Sequence, residues 1–268
     1  IQALDKIAKG TDKEYAVRSN YQLGSYYVSK QDYATAKKYL LAAVSDSTNK
    51  APEALESLYR LANVYFQEKD LVNAEKYLVE VNRRTENKDA GYLTDLIIYY
   101  LETNQGTKAD AKYKSAMQSL SKDQAAVLAN YMGEYYVNKS DLVKAQSYFS
   151  EAIKDSASKG SAATAFRLGQ IAITNGNKEE AEKYFIMMNE KTEWKDEEAL
   201  KVLGIFYLDT QNYDKAEETL KKAIAINPKN LEARVILLEL YETKNDQNSV
   251  SRMISEIKAI QPVAVNKN

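Results

Sequence analysis

Paired carboxylates are the first side chains in this sequence that could do chemistry. Glu179 and Glu180, Glu197 and Glu198, and Glu217 and Glu218 stand side by side, and two acids held in unlike surroundings can act as general acid and general base. The chain has no His and no Cys. Thiol chemistry, zinc held by Cys or His, and every triad with an imidazole base are therefore excluded. No phosphate-cradling glycine loop, EF-hand spacing or Walker lysine occurs, so neither a cofactor nor a metal is expected. "NKS" at 138–140 is a lone glycosylation-type triplet at a turn. The acid pairs have a plainer explanation. Each falls at or near an expected helix start, where the helix dipole favours negative charge, and on that reading the chain is not an enzyme.

The elements that carry these residues follow a period. In "KVLGIFYLDTQNYDKAEETLKKAIAINPKN", Gly204 is followed by Tyr207, Asn212, Ala216, Leu220, Ala223 and Pro228. The same offsets pick out Gly24, Tyr27, Asp32, Ala36, Leu40 and Ala43, then Ala62, Tyr65, Asp70, Ala74, Leu78 and Val81. Further copies start at Ile97, Gly133 and Gly169, and a degenerate one at Leu238 ends on Pro262. The glycine marker advances by 38, 35, 36, 36, 35 and 34 residues, so about seven copies of one unit make up the chain.

Each copy reads as two helices. Leu203, Phe206 and Tyr207 recur at helical spacing, and so do Ala216, Leu220 and Ala223. Between the halves lies a polar break with Asp32, Asp70, Asp141, Asn177, Asn212 or Asp246, whose side-chain oxygen can accept from the free N–H groups of the second helix. Gly or Ala at the first marker and Ala at the second let antiparallel backbones approach, while the Tyr fills the wider end of the gap.

These residues resemble the tetratricopeptide repeat (TPR) family, whose 34-residue motif carries Leu-Gly and Tyr on one helix, then Ala, an aromatic or Leu, and Ala on the next, then Pro. Leu203, Gly204, Tyr207, Ala216, Leu220, Ala223 and Pro228 match it. The departures are Ile97 for the glycine, Ala172 for the tyrosine, Val250 for the alanine, and Pro in the last two repeats only. They bear on crossing angles and turn shapes. The resemblance implies an all-α, right-handed superhelical solenoid over residues 17–264. Residues 1–16 would be the end of a preceding repeat or a capping helix, and 265–268 a tail.

The resemblance also implies a concave groove lined by first helices. With the glycine marker as position 8, positions 2, 5, 9, 12 and 13 face inward. They include Tyr21, Tyr59, Asn63, Phe66, Leu101, Asn130 and Val137, followed by Phe166, Gln170, Ile173, Lys201, Ile205 and Leu208. Apolar groups recur on this stripe where solvent would select polar ones, although packing between neighbouring first helices explains some of them. Family members that clamp acidic chaperone tails have Lys at position 5 and Asn at position 9. Here Asn63 has Tyr59 in the Lys place and Lys201 has Ile205 in the Asn place, so a partner with apolar side chains and a few hydrogen-bonding groups is expected.

With Lys+Arg 37 against Asp+Glu 38, no basic field gathers nucleic acid. "LIIYYL" at 96–101 is too short to cross a bilayer. The absence of Cys fits an oxidising periplasm and equally a reducing cytosol. Repeats of the "AVRSNYQLGSYY" kind also look similar to those of bacterial envelope accessory proteins. The expectation is an interaction scaffold that binds a peptide or helical segment of another protein, with self-association into a homo-oligomer or envelope assembly as the alternative.

Overall fold

The computed structural model describes residues 1–154 and 160–260, and among these are 15 α-helices and no strand. In chain order they are α1 Gln2–Ala8, α2 Lys13–Ser29, α3 Tyr33–Ala43, α4 Pro52–Gln67, α5 Leu71–Arg84, α6 Ala90–Glu102, α7 Gly106–Ser119 and α8 Lys122–Asn138. There follow α9 Leu142–Ile153, α10 Gly160–Thr174, α11 Lys178–Lys191, α12 Glu197–Asp209, α13 Tyr213–Ile226, α14 Leu231–Thr243 and α15 Gln247–Ile260. Two compact units result, Ile1–Tyr135 and Tyr136–Asn268. The division falls inside α8. Pro262 and the expected tail at 265–268 lie outside the described residues.

Within each unit the helices stack pair on pair, as in an all-α solenoid. In the first, α2 packs on α3, α4 on α5 and α6 on α7, while α4 also meets α2 and α3 of the preceding pair. In the second, α10 packs on α11, α12 on α13 and α14 on α15. Pairing is set by the small markers, with one refinement. A Cβ at Gly24 would lie 2.5 Å from Leu40 Cδ2, one at Gly169 2.5 Å from Phe185 Cε1, and one at Gly204 2.7 Å from Leu220 Cδ2. The glycine therefore receives the bulky residue 16 positions later instead of meeting the small alanine. Next to that contact the marker tyrosine stacks on a second tyrosine, Tyr27 on Tyr39 at 5.7 Å, Tyr65 on Tyr77 at 5.5 Å and Tyr136 on Tyr148 at 5.3 Å.

The turn inside each pair closes the same way throughout. The N–H of the residue opening the second helix donates to the marker tyrosine's carbonyl five residues back: Asp32 to Tyr27, Asp70 to Tyr65, Asp141 to Tyr136 and Asp246 to Tyr241. This is the six-to-one bond of a Schellman motif, and the residue before the cap must turn left-handed. Gln31, Lys69, Asn104, Ser140, Gln211 and Asn245 do so with φ between 55° and 62°, and Gly176 does so at 75°. The Asp32, Asp70, Asp141, Asn177 and Asp246 side chains then accept from the N–H three residues on. Asn212 differs. Its side chain makes no capping bond, and its turn rests on the 2.7 Å backbone bond from Asn212 N–H to Tyr207.

Two turns between pairs that lack Pro, α5 to α6 and α11 to α12, are held by a buried amide. Asn82 Nδ2 donates to Leu78 and Tyr92 carbonyls, both at 2.8 Å, and Asn189 Nδ2 to Phe185 and Ala199 at 2.9 and 3.0 Å. Each amide ties the last turn of a second helix to the first turn of the next pair, and two left-handed residues follow, Glu86 and Asn87 or Glu193 and Trp194. Arg84 holds the longer connection before α4 by donating to the carbonyls of Val44, Asp46 and Asn49. Hydrogen bonds from Arg83 and then Arg84, working against partial burial, keep the Glu80 carboxyl down at about 2.

Neighbouring repeats are also joined by a recurring triad. Tyr100 and Lys108 both donate to Glu75, and Tyr207 and Lys215 both donate to Glu182. Tyr241 and Lys244 do the same to Glu217. These pairs are half-exposed, so each contributes about 0.5 kcal/mol.

Candidate functional site

The acid pairs that opened the sequence reading do not assemble. Glu179 and Glu180 lie in the first turn of α11, and Glu197 and Glu198 in that of α12. Glu217 and Glu218 sit further along α13, which begins at Tyr213, and each bonds a lysine one turn on, Lys221 and Lys222. No group of His, Cys, Asp or Glu among the described residues is placed to hold a metal ion.

The first-helix residues separate by unit. In the first unit Tyr21 is half-buried, covered by the Arg60 guanidinium 5.4 Å above its ring. Tyr59, Asn63 and Phe66, three of the register positions, line one hollow of 160 Å³ between α4 and α6. Leu101 and Asn130 are half-buried elsewhere. The hollow's walls are aromatic. Phe66 meets Tyr99 edge-on at 6.1 Å, and Tyr59 tilts against Tyr92 at 6.1 Å. The outer hydroxyls are engaged, Tyr99 donating to the Leu71 carbonyl and Tyr92 to Glu56, which leaves the rings to form the surface.

Its unpartnered acid was not among the residues the register picked out. Asp95 lines the hollow from α6, with Glu102 two turns along the same helix. No described residue gives the Asp95 carboxylate a hydrogen bond or a counter-ion. Burial first, and then the like charges of Asp89 and Glu56, push its carboxyl up to about 6. Desolvation and acid neighbours both disfavour the ionised form. The signal available in the sequence was local: in "AGYLTDLIIYYLE" Asp95 is the one charged residue ahead of the terminal Glu102.

In the second unit Val137 is half-buried, and Phe166 tilts against Phe185 at 6.3 Å. Phe166 also lines a broader hollow of 860 Å³ with Met188, Val202, Lys191 and Asp196. Gln170 is exposed and accepts from Arg167, and Ile173 is 45% exposed. Leu208 packs against the second unit's core, so a charge there would lower stability as well as any binding. Ile205 is half-buried. Lys201 is 6% exposed, and its Nζ lies 2.6 Å from both Glu198 and Glu232. Its charge is taken up within the chain.

Models of the tetratricopeptide repeat match residues 21–84, 162–186 and 197–230, spans that carry the glycine, tyrosine and alanine markers whose packing is described above. The chain is a tetratricopeptide-repeat protein. Among solved structures, the C-terminal part of a TPR repeat-containing protein from Cytophaga hutchinsonii matches with a TM-score of 0.55 at 15% identity, over 91% of this chain and 96% of that one. BtubC from P. vanneervenii matches with a TM-score of 0.51 at 16% identity, over 80% and 92%. At such identities the likeness is one of fold. A search of curated proteins found no match. TPR family and fold are those of protein-interaction scaffolds, typically non-catalytic, with proteins as partners. No described helix is long and apolar enough to cross a membrane.

Proposed function

We propose that this TPR protein holds a segment of a partner protein, extended or helical, against the first-helix face of its first unit, with one anchor side chain seated between α4 and α6. The observation that carries this reading is convergence: Tyr59, Asn63 and Phe66, picked from the inward positions that the family resemblance implies, line a single hollow. Phe66 keeps 39% of its surface exposed there, where an anchor can bury more of it, and Asn63 offers both a donor and an acceptor to a partner backbone. A random dodecapeptide library panned on the full chain tests it. Enriched peptides should lose at least about tenfold in affinity for Phe66→Glu, whose circular dichroism should match the parent. Peptides that bind both proteins equally would overturn the reading.

Self-association is favoured by a different feature. On α5, Val72 is 80% exposed and Val79 44% exposed, seven residues apart and so on one helix face. Sedimentation over a concentration series should show a dimer that Val72→Glu dissolves; a monomer throughout removes this reading.

A further inference from the structure

The lining of the hollow has two characters. Tyr59, Phe66 and Tyr99 present rings, Asp95 presents a carboxylate, and no Lys or Arg lines it; the Glu102 carboxylate, which also lines it, already accepts from Tyr135. Three half-buried acids elsewhere are matched: Glu75, Glu182 and Glu217 each accept from a tyrosine and a lysine of the adjoining repeat. Asp95 has no such match, and the charged groups facing it, Asp89 at the α6 cap and Glu56 from α4, carry its own sign. A half-buried carboxylate among like charges is less favourable ionised than in open water, and a cation brought to it relieves that. Ring faces beside the acid suit a cation whose stem is apolar.

We propose that this hollow is a cation pocket that takes a lysine or arginine side chain of the partner segment, with the alkyl stem along Tyr59 and Phe66 and the charged head on Asp95. The proposal rests on the peptide-binding reading above and supplies the chemistry of its anchor residue. A bare metal ion is the poorer occupant, since no group of three ligating side chains is placed around one. An acidic segment is poorer still, because Asp95, Glu56 and Asp89 would all repel it.

The test uses the full chain labelled with ¹⁵N and two isosteric probes, N-butylguanidinium and neutral N-butylurea, followed by amide chemical shifts. N-butylguanidinium should give saturable shifts clustered at Tyr59 to Phe66 and at Asp95 to Tyr99, and N-butylurea should not. Asp95→Asn should weaken the response at least about tenfold while its melting temperature stays equal to the parent's or rises. Phe66→Ala should weaken it with Asp95 intact. Equal responses to the two probes, an unchanged response in Asp95→Asn, or no shift up to the solubility limit would each overturn the cation pocket. Library peptides that need Phe66 yet carry no Lys or Arg would also overturn it and leave the peptide-binding reading standing. A guanidinium response with no enriched peptide would support the pocket and remove the partner segment.

Discussion

Asp95 in the first unit and Lys201 in the second are both charged residues set into first helices, and they meet opposite fates. Lys201 lies between Glu198 on its own helix and Glu232 on the first helix of the next pair, at 2.6 Å from each. Asp95 finds Asp89 and Glu56. At the same step of 31 residues that leads from Lys201 to Glu232, Asp95 is followed by Ala126. The difference teaches where a stacked repeat can act on another molecule. An embedded charge that the neighbouring repeat neutralises serves the fold, and one it leaves alone is available to a partner and lowers stability meanwhile.

The largest expected effect comes from making Lys201 resemble Asp95. Changing Glu198→Gln together with Glu232→Gln leaves an ammonium with an 8% exposed side chain and no counter-ion. The loss should be about 2–3 kcal/mol in urea unfolding at pH 7, below the range for fully buried pairs because both glutamates are well exposed. Adding Lys201→Met should recover most of it. If the double variant unfolds at the parent midpoint, Lys201 reaches water and the contrast with Asp95 disappears.

This contrast also marks how far the sequence could be read. The fold was legible because steric rules repeat with the period: Gly24, Gly169 and Gly204 each leave room for a residue 16 positions on, and a Cβ added at any of the three would run into it. Asp32, Asp70 and Asp141 were legible as caps for the same reason. The Asn82 and Asn189 amides were not, since their bonds go to main-chain carbonyls 10 residues on, and carbonyls leave no mark in a sequence. Half of the hollow was visible as Tyr59, Asn63 and Phe66. The other half comes from the next repeat, and Asp95 sits at position 6, outside the five positions taken as inward-facing. Register gives the direction of Lys201 but not the glutamate that waits for it.

The reverse experiment relieves Asp95. Its carboxyl lies at about 6 in the fold against 3.8 for an ordinary aspartate. Well below pH 3.8 it is protonated folded and unfolded, so it costs nothing; ionising it grows unfavourable as pH rises to 6 and stays so above. Two pH units correspond to about 3 kcal/mol, and solvent reaching a partly exposed side chain reduces that to about 2. Asp95→Asn should therefore stabilise the chain by about 2 kcal/mol at pH 7 and by only about 0.2 kcal/mol at pH 3.5. Glu80 has the opposite sign, its carboxyl being held at about 2, and Glu80→Gln should lose stability at pH 7 but not below pH 2. A gain for Asp95→Asn that persists unchanged at pH 3.5 would mean packing, not charge, is responsible.

The smallest effect sharpens the comparison between the units at a shared turn. In the second unit Gly176 adopts φ 75° before the Asn177 cap, and in the first Gln31 and Lys69 adopt φ 59° and 62° before Asp32 and Asp70. An L-residue with a Cβ loses about 1 kcal/mol in this conformation relative to glycine, while glycine loses more chain entropy on folding. A Cβ at Gly176 meets nothing within 4 Å, so Gly176→Ala isolates the conformational preference and should cost about 0.5–1 kcal/mol. Lys69→Gly should gain a similar amount, because its backbone bonds, Lys69 N–H to Phe66 and Asp70 N–H to Tyr65, survive the change. Opposite signs in the two units, read from urea midpoints at equal slope, would show that one Schellman geometry governs both. Equal signs would mean that the turns differ in more than the residue they place there.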